Sequence, residues 1–404
     1  MIMSLREWFG NREILLTGVT SELGRALLEK ILRTLPNVRI VAVLRSRDGL
    51  TKDDRIKSIF ASPGYERLRQ KDPNAIGRVR ALEGNLLYKG LGLSRKDTES
   101  LREVEVVLHA AGPRDNVLDI CPDLPSLTSI AVACSVFSPD RQHAKSLREG
   151  CTTGIPLVLI RVPFLGPAHT EPIPGFVEVL RGPTALMVGA GFALGRSDLP
   201  AEVLPVDVAA NAVIVAAWER GIRSPSDEPT VYDVPALGAT WGELVGKGRL
   251  ARGKFSYPTF AVRGITSKSF FHRIVVFLFE WIPSALSDTI LRTFGAKSRC
   301  MLEHNKVRKA LRSLEPIASR TWPVDRNRIY RLQEYLTPED RETFPVCPEI
   351  DVESYVLCAS ASARKYCVDE VNLKIVKCFS RLFLACILVL ISYIIFRFYH
   401  HFYK

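Results

Sequence analysis

At 404 residues, with 47% hydrophobic and 24% charged side chains, the chain is long enough for two or three domains and has the composition of an ordinary folded protein. Its 55 Lys+Arg against 43 Asp+Glu favour anionic partners such as a phosphorylated cofactor or an acidic lipid surface. Nucleic acid is set aside, because no zinc spacing, RNP-like aromatic motif or long basic arm is present. The nine cysteines, odd in number and without a CxxC pair, read as reduced core or surface thiols in a cytosol-facing protein rather than as a disulfide framework or metal site.

The first predicted strand is the apolar run 13–17 (EILLT), leading into "GVTSELG" and a helix whose Leu23, Leu27, Leu28, Ile31 and Leu32 recur at helical spacing. A strand, a glycine-marked turn and a helix make the entry to a dinucleotide site, where backbone N–H groups at a helix N-terminus meet a pyrophosphate. Gly18 suits the tight turn and Gly24 the close helix–sheet packing, but Ser21 stands where a middle glycine is wanted. Its side chain would either obstruct the pyrophosphate or donate a hydrogen bond to it.

"RIVAVL" (39–44) predicts a second strand. Arg45, Ser46 and Arg47 follow it in place of the acidic residue that holds the ribose hydroxyls of NAD. A guanidinium there suits a 2′-phosphate and favours NADPH, although surface arginines would look the same. "VRALEGNL" (79–86), "VEVVLHAAG" (104–112), "SIAVACSV" (129–136) and "IPLVLIRV" (155–162) predict further strands, alternating with polar helical stretches at 51–72 and 94–103. The alternation predicts an α/β fold with a doubly wound parallel sheet, Rossmann-like, closed by a last unit ending in "LPVDVAANAVIVAAWE" (204–219).

The polar helix "SPDRQHAKSLREG" carries Lys145, and four residues before it stands Arg141. A reductase of this general type places a proton-donating tyrosine there; an arginine cannot be that donor, but can stabilise a developing oxyanion. From Leu244 to Phe279 no acidic residue occurs, and the basic segment 247–273 leads into "FFHRIVVFLFEWIPSAL", which fits either a surface lying on anionic lipid or a solvated loop followed by a core helix. Leu382–Phe396 (LFLACILVLISYIIF) is uncharged and bracketed by Arg381 and Arg397; counted over 379–399 it is long enough to cross a bilayer. Only eight residues follow Phe396, so insertion there would be post-translational.

These motifs resemble those of the fatty acyl-CoA reductases, alcohol-forming members of the extended short-chain dehydrogenase group. "TGVTSELGRALLEKIL" is similar to the family's opening, as are "GNL" (84–86), "LGLS" (91–94), His109-Ala110-Ala111, "RVPFLGPAHTEPIPGFVEVLRGPTALMVGAG" (161–191) and "LPVDVAANAVIVAAW". "TWGEL", "IPSALSDTILRTFG" and "RTWPVDRN" look like the family's C-terminal, so-called sterile domain. The resemblance implies NADPH-dependent reduction of a long-chain fatty acyl-CoA to a primary alcohol through an aldehyde, with release of CoA. It implies a cofactor site of Thr17, Gly18, Thr20, Ser21, Leu23, Gly24, Arg45, Asn85, Ala110, Ala111 and Lys145, with Lys145 also the catalytic lysine.

The chain departs from the family at Ser21, at Asn85 in place of the Asp of GDL, and at Arg141 in place of the catalytic tyrosine. The family's Ser/Thr after the fifth strand falls on Ala133 or Cys134, with Ser135 one step on. The region 113–150 is short for the family, which predicts an imperfect sheet in the catalytic half. An impaired relative that binds nucleotide or acyl chains, or an incomplete gene sequence, would show the same pattern. The domain reading is 1–236 for the NAD(P)-binding part, 237–370 for a smaller, mainly helical C-terminal domain, and 371–404 for an apolar C-terminal helix acting as membrane anchor. The partners implied are long-chain fatty acyl-CoA, membrane lipid reached through that helix and the basic segment, and a second copy of the chain. The reductase part would lie on the cytosolic face of the endoplasmic reticulum or peroxisome.

Overall fold

The computed structural model describes residues 3–111, 115–137, 155–188, 190–223, 229–251, 262–293, 295, 299–367 and scattered helical positions between 382 and 400. The stretch expected to form the helix with Arg141 and Lys145, the centre of the basic segment and most of 379–399 lie outside these residues.

Among the described residues, the strands β1 (Glu13–Thr17), β2 (Arg39–Leu44), β3 (Val79–Glu83), β4 (Val104–His109), β5 (Ser129–Ser135) and β6 (Leu157–Val162) form one sheet with a strand at Thr230–Asp233. All pair in parallel, and β1 lies between β2 and β4, with β3 beyond β2 and β5 and β6 beyond β4. This is the doubly wound arrangement that the strand–helix alternation predicts. Both faces are covered, which is why the strands read as unbroken apolar runs. Ile14, Leu16, Val106, Leu108, Ala131, Val158 and Ile160 point into one core. Their neighbours Leu15, Val107, Ile130, Val132, Leu157 and Leu159 point into the other.

The helix Glu22–Thr34 starts at Ser21, whose Oγ accepts the Gly24 N–H, and ends before Pro36, which cannot continue it. Its Leu23, Leu27, Leu28 and Ile31 are buried in the same core as the alanine- and valine-rich helix Val206–Ile222. The short strands β7 (Phe164–Gly166) and β9 (Val203–Pro205) pair in parallel and lead into that helix.

Among the described residues, the sheet is continuous through the half expected to be imperfect. β4 and β5 pair from Val106↔Ser129 to His109↔Val132, and one turn of helix at Asp115–Leu118 with a tighter turn at Cys121–Asp123 suffices for the crossover. Val117, Ile120 and Leu124 from this connection are buried against Val107 and Ile130, so the short segment still covers the sheet.

The chain divides into two compact units. One comprises Met1–Phe176, Glu202–Gly238 and Trp322–Asp351 and contains the sheet. The other comprises Val177–Ala201, Ala239–Thr321 and Val352–Lys404. It is built mainly of helices at Gly182–Met187, Trp241–Ala251, Ser269–Thr293, Cys300–Ala318 and Val352–Cys367. A two-stranded pair, β8 (Phe192–Leu194) with a strand at Gly264–Thr266, completes it.

Candidate dinucleotide site

The turn after β1 is shaped by its glycines. Gly18 has φ 76°, and a Cβ there would lie 2.6 Å from the Ala111 Cβ. A side chain is excluded twice over, by backbone conformation and by the approach of the chain leaving β4. At Gly24 a Cβ would lie 2.1 Å from the Gly18 carbonyl oxygen, so the helix can seat on the turn only with glycine at that position. Small residues continue on the other wall, where Ala110 is buried and donates its N–H to the Thr17 carbonyl at 3.1 Å.

The Ser21 hydroxyl is engaged within the turn. Its Oγ accepts the Gly24 N–H at 3.0 Å and donates to the Ala110 carbonyl at 3.3 Å, while its own N–H closes the turn on Gly18 O at 2.8 Å. The hydroxyl thus ties the helix start to the end of β4. The cost is one first-turn N–H that an anion would otherwise use. Thr17 Oγ1 and His109 Nδ1 lie 2.7 Å apart in the core, so the histidine of the His-Ala-Ala motif braces β1 against β4 beneath the turn.

Asn85 has a local task. Its Oδ1 accepts the Leu87 N–H at 3.1 Å and its backbone N–H donates to Leu91 O at 2.7 Å, holding the turn after β3. An aspartate would accept the Leu87 N–H equally well, so Asn85 preserves the turn and removes only the charge. Arg45 is exposed after β2, and Arg55 donates to its carbonyl at 2.6 Å. Ser46 beside it donates from N–H and Oγ to Glu83 at 2.6 and 2.8 Å, while Arg47 pairs with Asp48 at 3.2 Å. The end of β2 therefore carries a guanidinium and a carboxylate side by side. Leu23 is buried and Thr20 exposed. Ser135 ends β5 exposed, its Oγ accepting the Phe137 N–H at 3.1 Å.

A charged cluster behind the turn was not visible as such in the sequence. Asp207 accepts the backbone N–H groups of His169, Thr170 and Glu171 at 2.8–3.0 Å. That loop delivers the Glu171 carboxylate to the helix after the turn, where it pairs with Lys30, with Arg33 at 2.9 Å and with Arg67 at 3.0 Å. Arg33 also holds Glu29 at 2.7 Å. Burial alone would raise the Glu171 carboxyl, but the charges and hydrogen bonds of Lys30 and Arg33 outweigh it and hold the group at about 2. The "HTEP" and "LPVD" motifs thus clamp the helix that forms the turn. Of the two motif carboxylates only Glu171 meets the "LLEKILRT" helix and its two cations one turn apart, while Asp207 holds the Glu171 loop.

A family model described as Male sterility protein, NAD-binding, matches residues 16–120, and a second Male sterility protein model, Sterile, matches residues 279–370. Fatty acyl-CoA reductase 1 of Mus musculus is 26% identical, over 91% of this chain and 87% of its own length. Fatty acyl-CoA reductase wat of Drosophila melanogaster is 21% identical, over 84% of this chain and 81% of its own. The mouse alignment spans 455 positions, more than the 404 residues of the chain, so the chain is gapped against this relative. Among solved structures, the reductase domain of a non-ribosomal peptide synthetase from Mycobacterium tuberculosis superposes with a TM-score of 0.60 at 16% identity. It covers 88% of this chain and 92% of its own. The terminal R domain of the myxalamid PKS-NRPS pathway superposes with a TM-score of 0.55 at 15% identity, over 89% and 92%.

Proposed function

The chain belongs to the fatty acyl-CoA reductase family, and from that premise we propose that it reduces long-chain fatty acyl-CoA to primary fatty alcohol and CoA with NADPH. The observation that carries the reading is the turn at 17–24. Its left-handed Gly18, its Gly24 seated on the Gly18 carbonyl and its small-residue wall at Ala110 and Ala111 fit a dinucleotide backbone at a helix N-terminus. Arg45 supports NADPH over NADH by offering a guanidinium where a 2′-phosphate would lie.

The reduction takes two hydrides, one to convert the acyl-CoA to an aldehyde with CoA leaving as the thiol and one to convert the aldehyde to the alcohol. A nicotinamide bound anew for each step would supply them; the chain's own residues hold the reactants and manage charge. In this reading Lys145 binds the cofactor ribose and Arg141 stabilises the oxyanion that forms as the carbonyl is reduced. Arg141 remains protonated throughout, so the proton that completes the alcohol comes from solvent rather than from that side chain. Ser135 at the exposed end of β5 would orient the substrate oxygen. We place the chain on the cytosolic face of an internal membrane, held by 379–399.

The test is direct. Membranes expressing the full chain are supplied with NADPH and palmitoyl- or stearoyl-CoA, and fatty alcohol is measured. Alcohol that disappears in Lys145→Ala supports the reading. No alcohol, with normal expression and an active family member run alongside, overturns it.

A further inference from the structure

The Ser269–Thr293 helix of the second unit is long and apolar enough to cross a membrane by length and composition. Its packing argues for another placement. Glu280 on its inner face is buried, accepting the Phe192 N–H at 2.7 Å and pairing with buried Arg308 at 2.9 Å. His272 Nε2 lies 3.1 Å from the Phe192 carbonyl and 3.3 Å from Arg308 Nη2. Asp288 accepts the N–H groups of Cys300 and Met301 at 2.8 and 3.2 Å, at the start of the next helix. Crossing a bilayer alone would break a buried ion pair and strip these bonds.

The outer face is the opposite. Phe270, Phe271, Ile274, Phe277, Leu278 and Trp281 are all exposed. They fall at steps of one, three and four along one side of the helix, a stripe about 16 Å long at 1.5 Å per residue. A π turn at Phe277–Trp281 stacks the Phe277 and Trp281 rings at 5.5 Å. Beside the stripe, between this helix and Cys300–Ala318, runs a cavity of about 840 Å³. Arg273, Lys309 and Arg312 line it, exposed and without a carboxylate partner among the described residues, with Glu315 the acidic residue on its wall.

We infer that this helix lies in the plane of a bilayer surface, its aromatic stripe sunk among acyl chains and the adjacent cationic groove holding the phosphate headgroup of an anionic phospholipid. Unpaired arginines and lysine beside bulky apolar residues complement a negatively charged leaflet. They do not suit the core of a subunit interface, which is depleted of charge. A phosphate-bearing acyl ligand such as an acyl-CoA shares this chemistry. One tail in the groove, however, would leave Phe270, Phe271 and Ile274 uncovered, whereas a lipid surface covers the whole stripe. The inference takes up the membrane placement proposed above and adds a second contact to it.

The experiment uses the full chain on phosphatidylcholine vesicles with and without 30% phosphatidylserine, the acyl chains brominated to quench tryptophan. Trp281→Phe supplies the background of the other tryptophans, and co-sedimentation reports attachment through the tail independently. The expected result is Trp281-dependent quenching at least twofold stronger with phosphatidylserine. Lys309→Glu with Arg312→Glu, both on the surface, should abolish that advantage while co-sedimentation and the melting temperature hold. The milder Lys309→Gln with Arg312→Gln should halve it. Vesicle-bound chain whose Trp281 is not quenched overturns the inference, as does quenching that added acyl-CoA or inorganic phosphate removes.

Discussion

At Gly18 and Ser21 the same turn makes opposite demands on side chains. Gly18→Ala would force a Cβ into a left-handed backbone, at about 1–2 kcal/mol, and into the Ala111 Cβ 2.6 Å away. The expected outcome is a melting temperature lower by several degrees and loss of NADPH binding, read by nucleotide fluorescence titration; unchanged binding would remove the turn from the cofactor site. Ser21 is different, because its hydroxyl satisfies the Gly24 N–H and the Ala110 carbonyl. Ser21→Ala should cost about 1 kcal/mol as a lost helix cap, whereas Ser21→Gly should cost only a few tenths. Ser21→Gly also returns the Gly24 N–H to an incoming anion, so its NADPH affinity should rise several-fold over the parent. Equal affinity in all three would mean that this N–H faces no phosphate. The sequence revealed that Ser21 was anomalous, but not what it did, because its two partners are supplied by the helix backbone and by a strand almost ninety positions away.

At the scale of elements, the helix after the turn is held by charge as well as by its apolar face. The folded-state value of about 2 for Glu171 lies below the ordinary 4.5, so the stabilisation is fully present above pH 4.5 and is lost as pH falls towards 2. At 1.36 kcal/mol per unit this is about 3 kcal/mol, the order expected when one partner of a buried pair is removed. Glu171→Gln should therefore melt several degrees lower at pH 7 in detergent, and the gap to the parent should narrow steadily between pH 4.5 and pH 3. A gap constant across that window would show that Glu171 acts through packing and not through its charge. The strands around this helix were legible from their apolar runs, and β1, β2 and the glycine turn fall where spacing places them. The β4–β5 crossover was misjudged because residue counting could not register how well Val117, Ile120 and Leu124 cover the sheet. The Glu171 clamp was missed for a related reason: its members come from 29–33, 67 and 171, and no local pattern joins them.

Over the whole molecule, an excess of basic residues coexists with two apolar segments that have different physical fates. In 269–293 the inner face carries Glu280, His272 and Asp288, each engaged inside its own unit, so the helix is committed to a protein surface on one side. The described positions of the terminal segment, Leu382, Val389, Tyr393, Phe396 and Tyr399 among them, are exposed. A helix apolar all round needs hydrocarbon on every side. On the placement proposed above, one segment would bind a leaflet with help from charge, and the other would insert. These modes separate by salt and by alkali, because surface attraction is screened over about 10 Å at 0.1 M salt while insertion is not. The full chain should stay in the membrane pellet through alkaline carbonate and 0.5 M salt. A chain ended after Cys367, the close of the last continuously described helix, should be released by carbonate. It should still bind phosphatidylserine vesicles in 0.05 M salt and leave them in 0.5 M. If that shortened chain resists carbonate as the full one does, 379–399 is not the anchor, and the apolar length that holds the protein in the bilayer must be sought in 269–293.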